Sequence, residues 1–204
     1  MGDSSDDHGN WQRIPEIEQV IRNSAVAEIA ATLTGSDRAQ LFHDHVMVKE
    51  PGTAKPTPWQ PDGPYCFDEG RHTIRFWAPV DPETGASLRC VAGSHLWEKD
   101  VMPTRWLKGE TFFPDPERYM PVPDPGAEGA PVREWATEPG DAVAFLYNTL
   151  HGAPGHAAAA LSQRLVGEDA RYVERPGRTS PSSPGHGMQP GERLREDRFP
   201  VLRG

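Results

Sequence analysis

The sequence predicts a mainly β domain, a barrel or sandwich of short strands joined by many loops. Its 204 residues include 20 glycines and 22 prolines, and because proline ends helices and glycine opens turns, the composition excludes a helical bundle or a coiled coil. Six or seven short apolar segments separated by turn residues are typical of a barrel or sandwich. A chain of this length suits one domain and needs no disulfide or structural metal to fold.

The first 40 residues are predicted to form a helical segment that is partly disordered. Residues 1–14 are polar and are expected to be disordered or loosely packed. Apolar residues between Ile17 and Ala30 fall at helical spacing, which predicts helix over 15–34 with a break near Asn23. The β domain is expected to occupy residues 41–204.

Segments rich in β-branched and aromatic residues predict the strands of this domain. They are residues 41–48, 73–80, 88–92, 132–136, 141–151 and 159–166. The second and third are expected to be neighbours in one sheet. Residues 50–64 hold five prolines and two glycines and predict a loop, whereas 99–131 predict an irregular insertion. Beyond Gly167 the sequence is polar and shows no hydrophobic periodicity.

The net charge limits the binding partners that can be expected, and the cysteine content bears on the cellular compartment. The formal net charge of −9 argues against binding to nucleic-acid backbones and against a basic membrane-binding surface. No apolar run approaches the length of a membrane span, and the acidic N-terminus lacks a signal-peptide pattern. Cys66 and Cys90 are expected to be reduced thiols. A cytoplasmic protein with a small-molecule partner is predicted, of undetermined oligomeric state.

Two histidines share one face of the first predicted strand. His43 and His45 are two residues apart, so their side chains point the same way, and Asp44 points to the opposite face. This His-x-His pattern has two interpretations. It could bind a metal ion, or it could form the polar face of a strand beside a pocket, and we favour the second.

A second set of candidates is spread along the chain. Asp62 follows the Pro-rich loop, His151 ends an apolar strand, and Arg164 lies in the next strand. A carboxylate and an imidazole are two members of a 2-His-1-carboxylate iron site, and an arginine suits one carboxylate of a dicarboxylate. The spacing of these residues is compatible with an iron site and also with purely structural roles, and structural roles are the more common case.

Five longer stretches point to a known family. They are LFHDHVMVKEPGT, PTPWQPDGPY, TIRFWAPVDPETGASLRCVAGSHLW, EPGDAVAFLYNTLHGAPG and RLVGEDARYVERPGRTSP. In this order, they resemble the phytanoyl-CoA dioxygenase family of Fe(II)/2-oxoglutarate-dependent oxygenases, over about residues 41–200. The resemblance implies a double-stranded β-helix, or jelly roll, with N-terminal helices, long loops and a metal site in its mouth.

The resemblance also implies roles for individual residues. Asp62 matches the aspartate of the family's His-x-Asp pair, and His151 matches its distal histidine, so both would bind Fe(II). Arg164 matches the arginine that holds 2-oxoglutarate. Trp77 and Lys49 would lie beside that cosubstrate, although a core tryptophan and a solvated lysine are the structural alternatives. Ascorbate is a compatible accessory reductant.

The sequence departs from the family pattern at the first iron ligand. Gln60 stands where the family has histidine, and an amide oxygen binds Fe(II) less well than an imidazole nitrogen. Pro61 stiffens the same segment, and the N-terminal region is shorter than in the family. Two functions therefore remain open. One is an iron- and 2-oxoglutarate-dependent dioxygenase that hydroxylates a small organic molecule, with Gln60 or water as third ligand. The other is an inactive relative that binds a dicarboxylate or another small ligand.

Overall fold

Two antiparallel sheets form the framework of the chain in its computed structural model, and the second of two helices packs against the larger one. The structure describes residues 4–50, 56–82, 88–103, 115, 117–126, 129–155, 158–182 and 187–204. The strands are β1 (Ser4–His8), β2 (Ala39–Lys49), β3 (Thr57–Gln60), β4 (Asp68–Glu69), β5 (Thr73–Pro79), β6 (Arg89–Val91), β7 (Asp100–Val101), β8 (Tyr119–Met120), β9 (Val132–Glu134), β10 (Val143–Leu146), β11 (His151–Ala153), β12 (Ala158–Val166), β13 (Arg171–Tyr172) and β14 (Val201–Arg203). The mainly β fold predicted from the sequence is confirmed.

The larger sheet has the order β1-β2-β12-β5-β10, with β14 pairing the other end of β2, and the smaller sheet has the order β3-β11-β6-β9. Within both sheets the described pairings are antiparallel. The register between β2 and β12 shifts where Arg164 lies opposite His43 and Leu165 lies opposite Leu41. Phe42 is the extra residue of this bulge, a feature that re-aims side chains next to it.

The helices α1 (Pro15–Asn23) and α2 (Val26–Thr34) confirm the predicted helical segment and its break near Asn23. Proline in the first turn of α1 has its φ preset for a helix. Gly35 ends α2 at φ 73°, a left-handed conformation that glycine adopts without steric cost. Ala27 and Ala30 of α2 pack against the outer face of the larger sheet.

An apolar cluster joins the two sheets. Trp77, Phe145 and Ala160 come from the larger sheet, and Leu88 and Cys90 come from the segment of β6 in the smaller one. All five side chains are buried. Burial of this kind stabilises the contact between the sheets, and it fixes their inner faces toward each other.

Several predictions about single elements are wrong. Residues 73–80 and 88–92 do not form neighbouring strands, because β5 and β6 lie in different sheets. The expected strand 141–151 is two strands, separated by a turn in which the Thr149 N–H donates to the Leu146 carbonyl. His151 therefore begins a strand of the smaller sheet instead of ending one of the larger sheet.

The structure also orders segments that the sequence does not predict as strands. Thr57–Gln60 forms β3 inside the expected loop, and residues 51–55 of that loop lie outside the described residues. Pro58 is tolerated because β3 lies at the edge of its sheet. Ser4–His8 forms β1 within the segment expected to be disordered. Near the C-terminus, β14 adds to β2.

Two further expectations concern thiols and membranes. Cys66 and Cys90 are both free and buried, as the sequence predicts. Among the described residues, the helices are too short and too polar to cross a bilayer.

Candidate functional site

Asp62 lies in the segment that follows β3. Its backbone N–H donates to the Tyr147 carbonyl over 2.7 Å, which ties this segment to the turn before β11. Its side chain is buried. Burial alone raises the pKa of a carboxyl, but the guanidinium groups of Arg164 and Arg75 outweigh this effect and hold the pKa of Asp62 well below its usual range. Asp62 is therefore a buried anion.

His151 approaches Asp62 from the neighbouring strand. It begins β11, where it lies opposite Gln60 of β3 and Cys90 of β6. Its Nε2 atom is 3.8 Å from Oδ1 of Asp62, and its Nδ1 is 2.9 Å from the Thr149 carbonyl. Because a carbonyl only accepts, Nδ1 carries the proton and Nε2 presents its lone pair to the site. Burial lowers the pKa of His151 to about 4, so the ring is neutral at pH 7.

A third group, Arg75, lies between these two side chains. Its Nη1 atom is 3.0 and 3.1 Å from the two carboxylate oxygens of Asp62 and 3.2 Å from Nε2 of His151. Its Nε donates to the Ser162 hydroxyl over 2.7 Å. Sequence reasoning missed Arg75. The available signal was a charged residue inside the apolar strand 73–80, where a fully buried arginine requires a partner.

Arg164 closes the cluster from β12. Its Nη2 donates to Oδ1 of Asp62 over 2.5 Å, and its Nη1 is 2.8 Å from Nε2 of His43. Because arginine only donates, Nε2 of His43 is the acceptor. Burial and the neighbouring Arg164 charge hold the pKa of His43 well below its usual value. The Nε atom of Arg164 is buried and has no hydrogen-bond partner among the described residues.

Asp62, His151 and Arg164 thus meet in one buried cluster, whereas the other predicted site residues lie around it. Trp77 is buried in the apolar cluster between the sheets. Lys49 donates to the Thr57 hydroxyl over 2.8 Å and lies 3.5 Å from the Pro154 carbonyl. Gln60 is partly buried opposite His151 in the strand pair. Their proposed contacts with iron or cosubstrate stay predictions.

The family follows from a match over most of the sequence. Residues 2–163 match the model of the family described as "Phytanoyl-CoA dioxygenase (PhyH)". This chain belongs to the phytanoyl-CoA dioxygenase family. No curated protein matches the sequence.

Solved structures similar to this PhyH-family chain are iron- and 2-oxoglutarate-dependent enzymes. The epimerase SnoN, in complex with Fe3+, alpha ketoglutarate and nogalamycin RO, is 21% identical with a TM-score of 0.75, and the match covers 98% of this chain and 78% of SnoN. The carbocyclase SnoK from nogalamycin biosynthesis is 21% identical with a TM-score of 0.73, over 97% of this chain and 76% of SnoK. EctD from S. alaskensis, with 2-oxoglutarate and 5-hydroxyectoine, is 16% identical with a TM-score of 0.67, over 93% of this chain and 65% of EctD.

These likenesses confirm the predicted jelly-roll fold. They also agree with the expectation that enzymes of this fold use iron and 2-oxoglutarate, since SnoN holds Fe3+ and alpha ketoglutarate, SnoK is alpha ketoglutarate dependent, and EctD holds 2-oxoglutarate. At identities of 16–21% these likenesses establish the fold. The chemistry of this chain has to be argued from its own residues.

The donor set at Asp62 and His151 tests whether iron fits this chain. A buried carboxylate and a neutral imidazole are suitable ligands, and their 3.8 Å separation allows both to reach one ion. An ion about 2.1 Å from each donor, however, would lie within about 3.4 Å of Nη1 of Arg75. A guanidinium is permanently charged. In the arrangement described, the guanidinium of Arg75 is the cation of this site. The residues therefore do not fit a metal ion in addition to Arg75.

Proposed function

We propose that this chain is a PhyH-family protein that binds a small carboxylate of the 2-oxoglutarate class through its buried arginines, without iron-dependent turnover. The observation that carries the proposal is the position of Nη1 of Arg75, within 3.2 Å of both Asp62 and His151. An internal cation there satisfies the carboxylate and the imidazole lone pair that a metal would otherwise bind.

The charge balance of the cluster supports an anionic ligand. Arg75 and Arg164 carry two positive charges, and Asp62 carries one negative charge. The low pKa values of His43 and His151 make both rings neutral at pH 7. Together these five side chains leave one positive charge in excess, and a buried unpaired charge is costly.

The orientation of Arg164 indicates where a carboxylate would bind. Its Nε–H group is buried without a partner among the described residues, while its two Nη atoms are already engaged by Asp62 and His43. A ligand carboxylate that accepts from Nε would satisfy an unpaired donor and neutralise the excess charge at the same time.

A second candidate function is the Fe(II)/2-oxoglutarate-dependent hydroxylation of a small organic molecule. The convergence of Asp62 and His151, with Arg164 beside them, is the observation that favours it. In that function, Asp62, His151 and Gln60 would hold the metal after Arg75 had turned away. Arg164, Trp77 and Lys49 would surround 2-oxoglutarate.

Titration calorimetry with 2-oxoglutarate and with succinate, each with and without a chelator, separates the two functions. We expect binding that the chelator does not change. Arg164→Lys should weaken it at least tenfold because lysine cannot supply the Nε donor. Arg71→Ala, which removes an exposed arginine, is the control and should bind like the wild type.

Anaerobic addition of Fe(II) gives the opposing outcome. If 2-oxoglutarate binds only when Fe(II) is present, with a metal-to-ligand charge-transfer band and release of succinate in air, the chain is an oxygenase. The same result would refute the assignment of Arg75 as the cation of the site.

A further inference from the structure

We propose that Asp6, His8 and His45 form a binding site for one divalent transition-metal ion, separate from the Asp62–His151 pair. The three residues lie on β1 and β2, at one edge of the larger sheet. This site shares no residue with the arginine cluster, so the inference does not rest on the proposed function.

The pairing of β1 with β2 brings the three side chains to one face. His8 lies directly opposite His45, and Asp6 is two residues before His8, so all three point the same way. Directly opposite residues of an antiparallel pair have Cβ atoms about 4.5–5.5 Å apart. One ligand atom from each residue lies within 4.8 Å of the other two, and Oδ2 of Asp6 is 3.4 Å from Nε2 of His45 and 3.9 Å from Nε2 of His8.

Three imidazole nitrogens of this cluster are buried without hydrogen bonds to the described residues. These are both ring nitrogens of His45 and Nδ1 of His8. The 3.4 Å approach of Asp6 to His45 exceeds the length of a good hydrogen bond. Unsatisfied buried polar atoms are uncommon, and a metal ion would bind the free lone pairs.

Protonation does not oppose metal binding here. Burial lowers the pKa of His45 to about 4 and also lowers that of His8. Both imidazoles are therefore neutral at pH 7, which is the form that coordinates metals. The positive charges of Arg164 and Arg75 also act on His45 and lower its pKa. Because the same charges repel any bound cation, we expect an affinity well below that of a closed four-ligand zinc site.

The chemistry of the donors indicates the class of ion. Two imidazoles and one carboxylate suit Zn(II), Co(II) or Fe(II) and suit Mg(II) or Ca(II) poorly. Asp6 is exposed, which gives the ion a route from solvent and leaves coordination positions open. The face continues toward the arginine cluster, since Met47, opposite Asp6, lies 3.5 Å from Nη2 of Arg75.

The test is a titration of the full chain, free of any affinity tag, with Zn(II) by calorimetry and with Co(II) by visible absorption. We expect one ion per chain, and His45→Ala and Asp6→Asn should each weaken binding at least tenfold. His72→Ala removes a partly buried histidine outside the cluster and should leave the affinity unchanged.

His151→Gln locates the ion. If it abolishes Zn(II) binding while His45→Ala has no effect, the ion sits beside Asp62, and the proposal is wrong. The absence of Zn(II) binding by a folded wild-type chain would overturn it as well. Thermal melting of each variant establishes that the chain is folded.

Discussion

Replacing Arg75 with leucine should open the Asp62–His151 pair to a metal ion. The substitution removes the guanidinium that both side chains contact, and among the described residues it leaves Arg164 as the charged partner of Asp62. Restoring a histidine at position 60 should not be sufficient by itself, because Arg75 would still supply the cation. We therefore expect Gln60→His to bind metal weakly and Gln60→His/Arg75→Leu to bind it well.

The size of the effect follows from what Arg75 would lose by moving. A divalent ion about 3.4 Å from a fixed guanidinium would be repelled by about 10 kcal/mol at an effective dielectric constant of 20, so the side chain would turn away instead. Turning away breaks at least one hydrogen bond to Asp62 and the one to Ser162, which cost about 1.5–3 kcal/mol each when a charged group takes part. The total of about 3–6 kcal/mol corresponds to roughly 10²–10⁴-fold in affinity.

The assay is Mn(II) binding, followed by electron paramagnetic resonance or calorimetry, in a His45→Ala background that removes the second proposed site. Arg133→Leu, which deletes one exposed charge on β9, is the matched control for net charge. If Gln60→His alone binds Mn(II) as tightly as the double variant, Arg75 does not block the site. A double variant that melts normally and still fails to bind would show that Asp62 and His151 are not aligned for a metal.

Three further changes test the packing around the site. Asp62→Asn leaves two buried arginines without their carboxylate and should lower the free energy of unfolding by about 3–5 kcal/mol in urea titrations. Because the folded-state pKa of Asp62 is depressed, its contribution is complete above an unfolded pKa of about 3.9 and falls below it, so the difference from wild type should be constant over about pH 5–8 and shrink in acid. Gly167→Ala would place a Cβ atom 2.4 Å from Oγ of Ser36 and 2.5 Å from Cβ of His72, and should cost about 1–3 kcal/mol, or roughly 2–12 °C in Tm; an unchanged Tm would refute this contact. Tyr147→Phe removes a buried hydroxyl that has no partner in the described part of the chain, so the urea midpoint should stay the same or rise, whereas a marked drop would reveal a hydrogen bond.

Elements with strong local signals are the ones that the sequence predicts correctly. The segment 73–80 is rich in β-branched and aromatic residues and forms β5 almost as predicted. The helical segment breaks near Asn23 as expected, and Gly35 ends it. In these cases the side-chain period and the terminating residue are contained in the segment itself.

Strand boundaries that depend on pairing could not be predicted in this way. The turn between β10 and β11 contains neither glycine nor proline, so 141–151 has the pattern of one apolar strand. The prolines around Trp59 predict a loop, yet β3 forms because β11 lies beside it. The polar segment Ser4–His8 becomes a strand because β2 offers a free edge. Each outcome depends on a partner that is distant in sequence.

The family resemblance was sufficient to predict the jelly-roll class and to single out Asp62, His151 and Arg164, which the structure brings into one cluster. The cation between Asp62 and His151 could be identified only from the folded chain. Arg75 is one charged residue in an apolar strand, and its role depends on the packing of β5 against the turn before β11. A buried charge is costly unless an opposite charge lies beside it. Which residues lie close together in space cannot be read from their order in the sequence.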